Sequence, residues 1–429
     1  MSEFHLTWRK YGIRDNPYFN APLTIEGENI PISSFIGRKK ESEELKRVIE
    51  MGSDIRFMII GEAGIGKTSL VNFVRNEASK NEFFTPIREI ELNKVMETNE
   101  LIILTLSVIY DEVKRTKKQL LNEDTISKLE ALYELTKYGE LSHDLANITQ
   151  LNRQRLIDLF KEVVKQIVHP IYKGVIIHFD NLDNIEDTEG LIDMLSEIRD
   201  FLLTKNVVFI FVGDQFLPAI VNSKPRLSQI FLTPALEVTS FSYDDIKNIL
   251  KERINKLRIN ESIPIIIPHT EDALRILFEL HDGNIREILN SLMSCVLSLQ
   301  PYNLPIQIAE DNLRDILFQK VNEMFMKKLT DIERDILLTI LENKHITPTQ
   351  LSELTKKRLT NISSKYIPKL IKISAVRFKY AEGRNRFYEV TPEIKWWKLK
   401  REENEKIKTK INQKDKINEI IQKGLKEFI

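Results

Sequence analysis

Three short runs along the chain are almost wholly apolar and rich in β-branched and aromatic residues: 56–60, 174–180 and 207–214. Runs of this length and make-up read as strands buried on both faces of a sheet. Between them apolar residues recur at three- and four-residue spacing. Residues 69–75 open one such helix, and Ile126, Leu129, Leu132 and Leu135 mark another. Strand runs alternating with helical patterns over 35–239 predict a parallel sheet with helices on both faces, an αβα sandwich. From 240 to about 322 the periodicity is helical only, which predicts a helical lid of residues 240–325.

The stretch 326–394 has its own punctuation. Thr330 and Glu333 form a capping box ahead of the helical positions Ile332, Ile336, Leu337, Ile340 and Leu341. Thr347, Pro348 and Gln350 open a second helix with a cap, a proline at the first position and an amide three residues on. A third helical segment runs over 361–373. Pro368 falls inside it and should kink or end it. Two alternating strands, 376–380 and 386–390, then flank 382–385 as a hairpin. Residues 395–429 form a charged tail whose Ile407, Ile411, Ile417, Ile420, Ile421 and Leu425 suggest one apolar helical stripe, with Trp396 and Trp397 expected to pack on the three helices and hairpin.

The first strand run leads into Gly61-Glu62-Ala63-Gly64-Ile65-Gly66-Lys67-Thr68, followed by Ser69 and a helix. Strand, glycine-rich turn and helix in this order make a P-loop, and the chemistry needs these residue types. Glycines let backbone N–H groups wrap phosphates without Cβ clashes, and a helix N-terminus favours the anion. Lys67 would meet the outer phosphates of ATP, and the Thr68 hydroxyl would take a Mg²⁺ position. The run 174–180 ends in Asp180, the matching second acid for Mg²⁺. His178 inside that strand reads as a packed histidine. The next residue is Asn181, where many hydrolysing P-loop proteins carry Glu. An amide orients a water but cannot take its proton. Asp183 is a possible substitute, so the expectation is a slow ATPase acting as a switch.

The box Phe35-Ile36-Gly37-Arg38-Lys39-Lys40-Glu41 resembles the opening box of AAA+ ATPases, most closely the branch of archaeal replication initiators of the origin-recognition type. STAND-type regulators begin similarly. The resemblance implies that this box and Asn16-Pro17-Tyr18-Phe19 border the adenine. It implies a γ-phosphate sensor at the tip of 207–214, Asp214 or Gln215, with Gln215 favoured because an acid would be repelled. It implies an arginine finger at Arg226, placed in a second copy of the chain, and a lid arginine at Arg286 after His281-Asp282-Gly283-Asn284, with Asn284 as a helix cap. The helices 326–394 look like a winged helix, a module that binds duplex DNA or docks protein.

Composition narrows the remaining choices. The 429 residues are 42% hydrophobic and 29% charged, enough for two or three globular domains. The formal net charge is zero, yet residues 356–429 carry 21 Lys and Arg against nine Asp and Glu. An acidic body with a basic end suits a polyanion partner or a solvated lysine-rich surface. Lys365, Lys369, Arg377, Lys379, Arg384 and Arg386 would be the DNA contacts, and the winged helix or charged tail is the place for a protein partner. A lone cysteine, Cys295, excludes an intrachain disulfide, and its apolar setting marks it as a buried thiol. No apolar run is long enough for a membrane span, and the first residues lack a signal-peptide core, so the cytoplasm is expected. The organisation expected is 1–239 for the nucleotide-binding part, 240–325 for the lid, 326–394 for the winged helix and 395–429 for the tail. Its expected function is an ATP switch coupled to DNA or to a DNA-bound partner. The alternative is a STAND-like regulatory or defence ATPase.

Overall fold

A computed structural model of the chain describes residues 6–27, 30–52, 54–92, 95–116, 120–137, 151–168, 171–182, 185, 187–299, 306–382 and 385–399. Asp183, Arg384 and the tail beyond 399, with its isoleucine stripe, lie outside the described residues. The chain divides into two compact units. One takes 13–259 with 283–286, and the other the described parts of 1–12, 260–282 and 287–429.

The first unit is built on six strands: β1 Asp54–Ile60, β2 Phe83–Phe84, β3 Ile90–Glu91, β4 Gly174–Asp180, β5 Val207–Gly213 and β6 Leu232–Glu237. Their order is β2-β4-β5-β1-β6, with β3 also beside β4. Every pairing is parallel. Parallel neighbours need long crossovers, and the helices between strands supply them. All seven residues of β4 and all seven of β5 are buried. Side chains alternate between faces along a strand. Val175, Ile177, Phe179, Val207, Phe209 and Phe211 therefore pack with helices Thr98–Thr116, Arg153–Val168 and Thr188–Glu197. Ile176, Val208, Ile210 and Val212 pack on the other side with helices Lys39–Glu50 and Lys67–Lys80. Two covered faces explain why these strands read as continuous apolar runs, and each buried Val, Ile, Leu or Phe contributes roughly 1.5–3 kcal/mol. The sheet is the α/β P-loop architecture that the sequence predicts. Helix Glu123–Lys137 joins the first of these cores through Leu129 and Leu132. Helix Tyr243–Lys256 belongs to the same unit and starts at a Ser242–Asp245 capping box.

The second unit holds helices Glu271–Leu280 and Glu310–Met324 and most of Ile285–Leu299. Cys295 is fully buried there, and burial pushes its thiol up to about 12, which leaves it inert. Helices Asp331–Glu342 and Pro348–Thr355 both start at capping boxes, Thr330 with Glu333 and Thr347 with Gln350. Ile336, Leu337, Ile340 and Leu341 are buried, whereas Ile332, in the first turn, faces solvent. The third helical run is continuous from Leu359 to Lys372 but changes winding over Ile362–Tyr366, where it widens to a π-turn. Pro368 is the cause: it has no N–H for the i→i−4 ladder, and its ring needs room against the preceding turn. Strands β7 Val376–Glu382 and β8 Asn385–Val390 pair antiparallel, and Ile346 and Tyr388 exchange backbone hydrogen bonds of 3.0 Å.

The two tryptophans correct the expectation from sequence. Trp396 Nε1 donates to Ser291 Oγ at 2.9 Å, and the Trp397 ring lies 4.8 Å from that of Phe318. They pack on helices Ile285–Leu299 and Glu310–Met324, because buried ring N–H groups go where an acceptor is already fixed. Ser291 belongs to a buried polar cluster. His281 Nε2 lies 2.8 Å from Ser291 Oγ, His281 Nδ1 lies 2.9 Å from Glu287 Oε2, and Lys395 Nζ donates to the same Glu287 oxygen at 2.8 Å. Among the described residues no helix is long and apolar enough to cross a membrane.

Candidate functional site

The P-loop turns between β1 and helix Lys67–Lys80. Two of its glycines are there for close approach. A Cβ on Gly61 (φ +150°) would sit 2.3 Å from Val238 O, and one on Gly64 (φ +85°) would meet Asn284 Oδ1 at 2.7 Å and Arg286 Cβ at 3.0 Å. Lys67 is buried at 6% exposure and donates to Gly61 O (2.8 Å) and Glu62 O (3.0 Å), so its ammonium spans the loop. Asn284 Nδ2 donates to Ala63 O at 2.8 Å, and Arg286 N donates to Gly64 O at 3.2 Å. Residues 283–286 thus form one wall of the loop.

The opening box props the loop from the other side. Arg38 is buried in a left-handed conformation, with its guanidinium 3.9 Å from the centre of the Phe241 ring. It donates to Ile65 O (2.9 Å), Thr239 O (2.5 Å) and Glu41 Oε1 (2.9 Å). Burial lowers its pKa and the Glu41 bond opposes that, so the cation is held by its acceptors. Segment 19–24 lies along the P-loop helix: Leu23 N donates to Ser69 Oγ at 3.0 Å, and Asn72 Nδ2 donates to Leu23 O at 3.1 Å.

Thr68 Oγ1 donates to Asp180 Oδ2 at 2.7 Å, joining the P-loop helix to the end of β4. Behind this pair lies a charge in the core. Arg75 is 1% exposed; it donates to Thr85 Oγ1 (2.9 Å) and Asn72 Oδ1 (2.8 Å), and also to Pro86 O. Burial lowers its pKa to about 10, against the pull of Glu89, Asp180 and Glu112, so it stays cationic. Arg75 Nη1 lies 3.2 Å from His178 Nδ1. Arginine only donates, so Nδ1 accepts and the ring proton sits on Nε2, 3.9 Å from Asp180 Oδ1. Burial first, and the Arg75 charge second, push the His178 pKa well down, and the ring is neutral.

A cavity opens beside Asp180. Phe19, Leu23 and Ile30 give it an apolar side, and Thr68, Asp180, Asn181 and Arg286 a polar one, together with Glu89 and Glu91. Asn181 has φ +64°, which turns the chain away immediately after Asp180. The structure therefore gathers Lys67, Thr68, Asp180, Asn181 and Arg286 around the P-loop. Gln215 is exposed after β5, where Asp214 Oδ1 accepts from Phe216 N at 2.8 Å, and Gln215 is not on the cavity wall. Arg226 is exposed on the short helix Pro225–Ser228.

The residues fit a Mg–nucleotide: a hydroxyl and a carboxylate 2.7 Å apart at a helix N-terminus, a lysine across the loop, and glycines whose Cβ atoms would clash. Sequence reading missed Arg75, the Arg38 strut, and the two acids Glu89 and Glu91. The alternation Glu89-Ile90-Glu91-Leu92 was the available signal, but β3 is only two residues long.

In the C-terminal segment the basic residues divide into two groups. Lys369 Nζ donates to Glu333 Oε1 at 2.7 Å. Arg377 Nη2 and Lys379 Nζ lie 2.6 and 3.2 Å from the Glu389 carboxylate. Lys365 and Arg386 are exposed, and Lys365 Nζ stands 5.4 Å from the centre of the Tyr366 ring.

Residues 34–210 match the family described as AAA ATPase domain. The match covers the P-loop, Asp180 and most of the parallel sheet, so this part of the chain is similar to P-loop ATPases of that family. A probable disease resistance protein of Arabidopsis thaliana is 29% identical over 151 residues, 34% of this chain and 11% of that protein. The chain thus spans about a tenth of the length of that relative. Among solved structures, the Aeropyrum pernix ORC2 protein in ADPNP–ADP complexes is 15% identical with a TM-score of 0.49, covering 93% of this chain and 99% of that one. The Aeropyrum pernix ORC1 protein in complex with DNA is 14% identical with a TM-score of 0.46, over 84% and 90%.

Proposed function

We propose that the chain is an ATP-driven switch whose C-terminal helices and hairpin, 326–394, form a winged helix that engages duplex DNA. The observation that carries the switch is the Thr68–Asp180 hydrogen bond, made on a cavity that also holds Arg286. Thr68 and Asp180 would hold Mg²⁺, which neutralises charge on the phosphates when bound. Lys67 leaves its two loop carbonyls for the outer phosphates, and Gly61 to Ser69 line the anion with backbone N–H groups. Arg286 donates its backbone N–H to Gly64 O and lines the cavity, which supports a role in reporting on the γ-phosphate. Asn181 can orient water but cannot take its proton, so turnover is slow unless a carboxylate elsewhere on the cavity serves as base. Arg226, exposed on its short helix, serves a neighbouring copy if the chain assembles. The setting we infer is the cytoplasm, consistent with a single buried cysteine in 429 residues.

Support for DNA is the basic face of the third helical run and hairpin. Lys365, Lys372, Arg377 and Arg386 are exposed there, next to Lys356 and Arg358. Phosphate contacts from such residues make affinity fall with salt, by a slope of about 0.9 per phosphate. The test is duplex binding by fluorescence anisotropy, with ATP, with ADP and without nucleotide, across a salt series. Micromolar or tighter binding that depends on both salt and nucleotide is expected. No binding at low salt with any nucleotide would remove the DNA reading.

A regulatory ATPase whose C-terminal module docks protein is the second reading. Two observations favour it. Leu354, Leu359 and Ile371 are exposed on the same helices, and Lys369, Arg377 and Lys379 are already ion-paired. The plant relative is a probable disease resistance protein, which fits a regulatory reading. The same anisotropy experiment separates the two.

A further inference from the structure

Asn181 leaves no carboxylate directly after Asp180, yet the cavity wall carries two acids from another part of the chain, Glu89 and Glu91. Strand β3 brings them there. Ile90 pairs with Phe179 and Glu91 pairs with Asp180, and Leu92 N donates to Asp180 O at 2.9 Å. Cα partners in a parallel ladder send their side chains to the same face, about 4.8 Å apart. Glu91 therefore stands beside Asp180, on the face where Asp180 meets Thr68. The two acids differ in exposure. Glu89 is 3.9 Å from the buried Arg75 guanidinium and 16% exposed, so its charge serves the core. Glu91 is exposed to the cavity.

We propose that Glu91 is the general base of ATP hydrolysis in this chain, supplying the carboxylate that Asn181 does not. The inference rests on the ATPase reading and adds to it the group that takes the proton. The water oxygen forms a bond to the γ-phosphorus. The bond from that phosphorus to the bridging oxygen breaks, and its electron pair leaves with ADP. The water proton passes to the Glu91 carboxylate and from there to solvent. Asn181, on the same wall, orients the water through its amide. A carboxylate on the neighbouring strand can replace one on β4 because the water, not the chain, fixes where the base must stand.

The test uses the full chain and compares wild type, Glu91→Gln and the P-loop control Lys67→Ala for ATP turnover, with fluorescent-nucleotide affinity measured on the first two. The expected result is a loss of at least about 100-fold in turnover for Glu91→Gln, with ATP affinity kept within about threefold. Turnover of Glu91→Gln within about threefold of wild type would overturn the assignment and leave the ATPase reading intact. Loss of nucleotide affinity together with turnover would also overturn it, since Glu91 would then be a binding residue. Wild-type turnover no higher than that of Lys67→Ala would sink hydrolysis itself, and the base with it.

Discussion

The end of β4 and the third helical run of the C-terminal segment both concentrate charge, but they treat it in opposite ways. Around β4 the charges are buried and interlocked. Arg75 spends its donors on Thr85, Asn72 and backbone carbonyls, and Arg38 on Ile65 and Thr239. In the C-terminal segment they lie at the surface, and where they are paired the partner is a single carboxylate, as for Arg377 and Lys379 on Glu389. The first arrangement makes folding and chemistry inseparable: remove one member and a buried group is left uncompensated. The second keeps folding and binding apart, so side chains there are replaceable at little cost to stability.

The sharpest way to break that contrast is Arg75→Met. It should destabilise the chain by about 3–5 kcal/mol, because the carbonyls and Glu89 around the guanidinium lose a buried cationic donor. Urea unfolding would show it, and a loss below 1 kcal/mol would mean the core charge is not structural. Next comes acid. Burial lowers the His269 pKa from 6.5 to about 4. The folded state therefore resists protonation that the unfolded chain accepts. The stability this gives is full above pH 6.5 and is lost as pH falls to about 4. The loss should approach about 3 kcal/mol, and His269→Gln should flatten that part of the urea-midpoint profile. Smallest is Lys365→Ala, with a stability change below about 0.5 kcal/mol but a salt slope for DNA lowered by about 0.9. Equal stability losses at Arg75 and Lys365 would erase the distinction between the two regions.

The contrast also explains what could be read from sequence. The sheet was legible because β4 and β5 are covered on both faces, so every position answers to one pressure. The P-loop was legible because its residues are contiguous. Glu91 was not: β3 is too short for any periodicity, and its neighbour Asp180 is a ladder partner remote in sequence. Arg75 looked like one more surface residue of an amphipathic helix, since nothing local announces the carbonyls at Pro86 and Arg88 that turn toward it. The tryptophans were placed on the wrong neighbours because Ser291 is remote in sequence from Trp396.

The π-turn at Ile362–Tyr366 has a geometric consequence. An α-helix advances about 100° per residue, so one extra residue in a turn rotates everything beyond it by about that angle. Lys365 and Lys369, four apart, would share a face in an unbroken helix; here the first looks outward and the second is drawn to Glu333. The run thus presents two half-faces set at an angle, and a straight groove would be read by the half that carries Lys365.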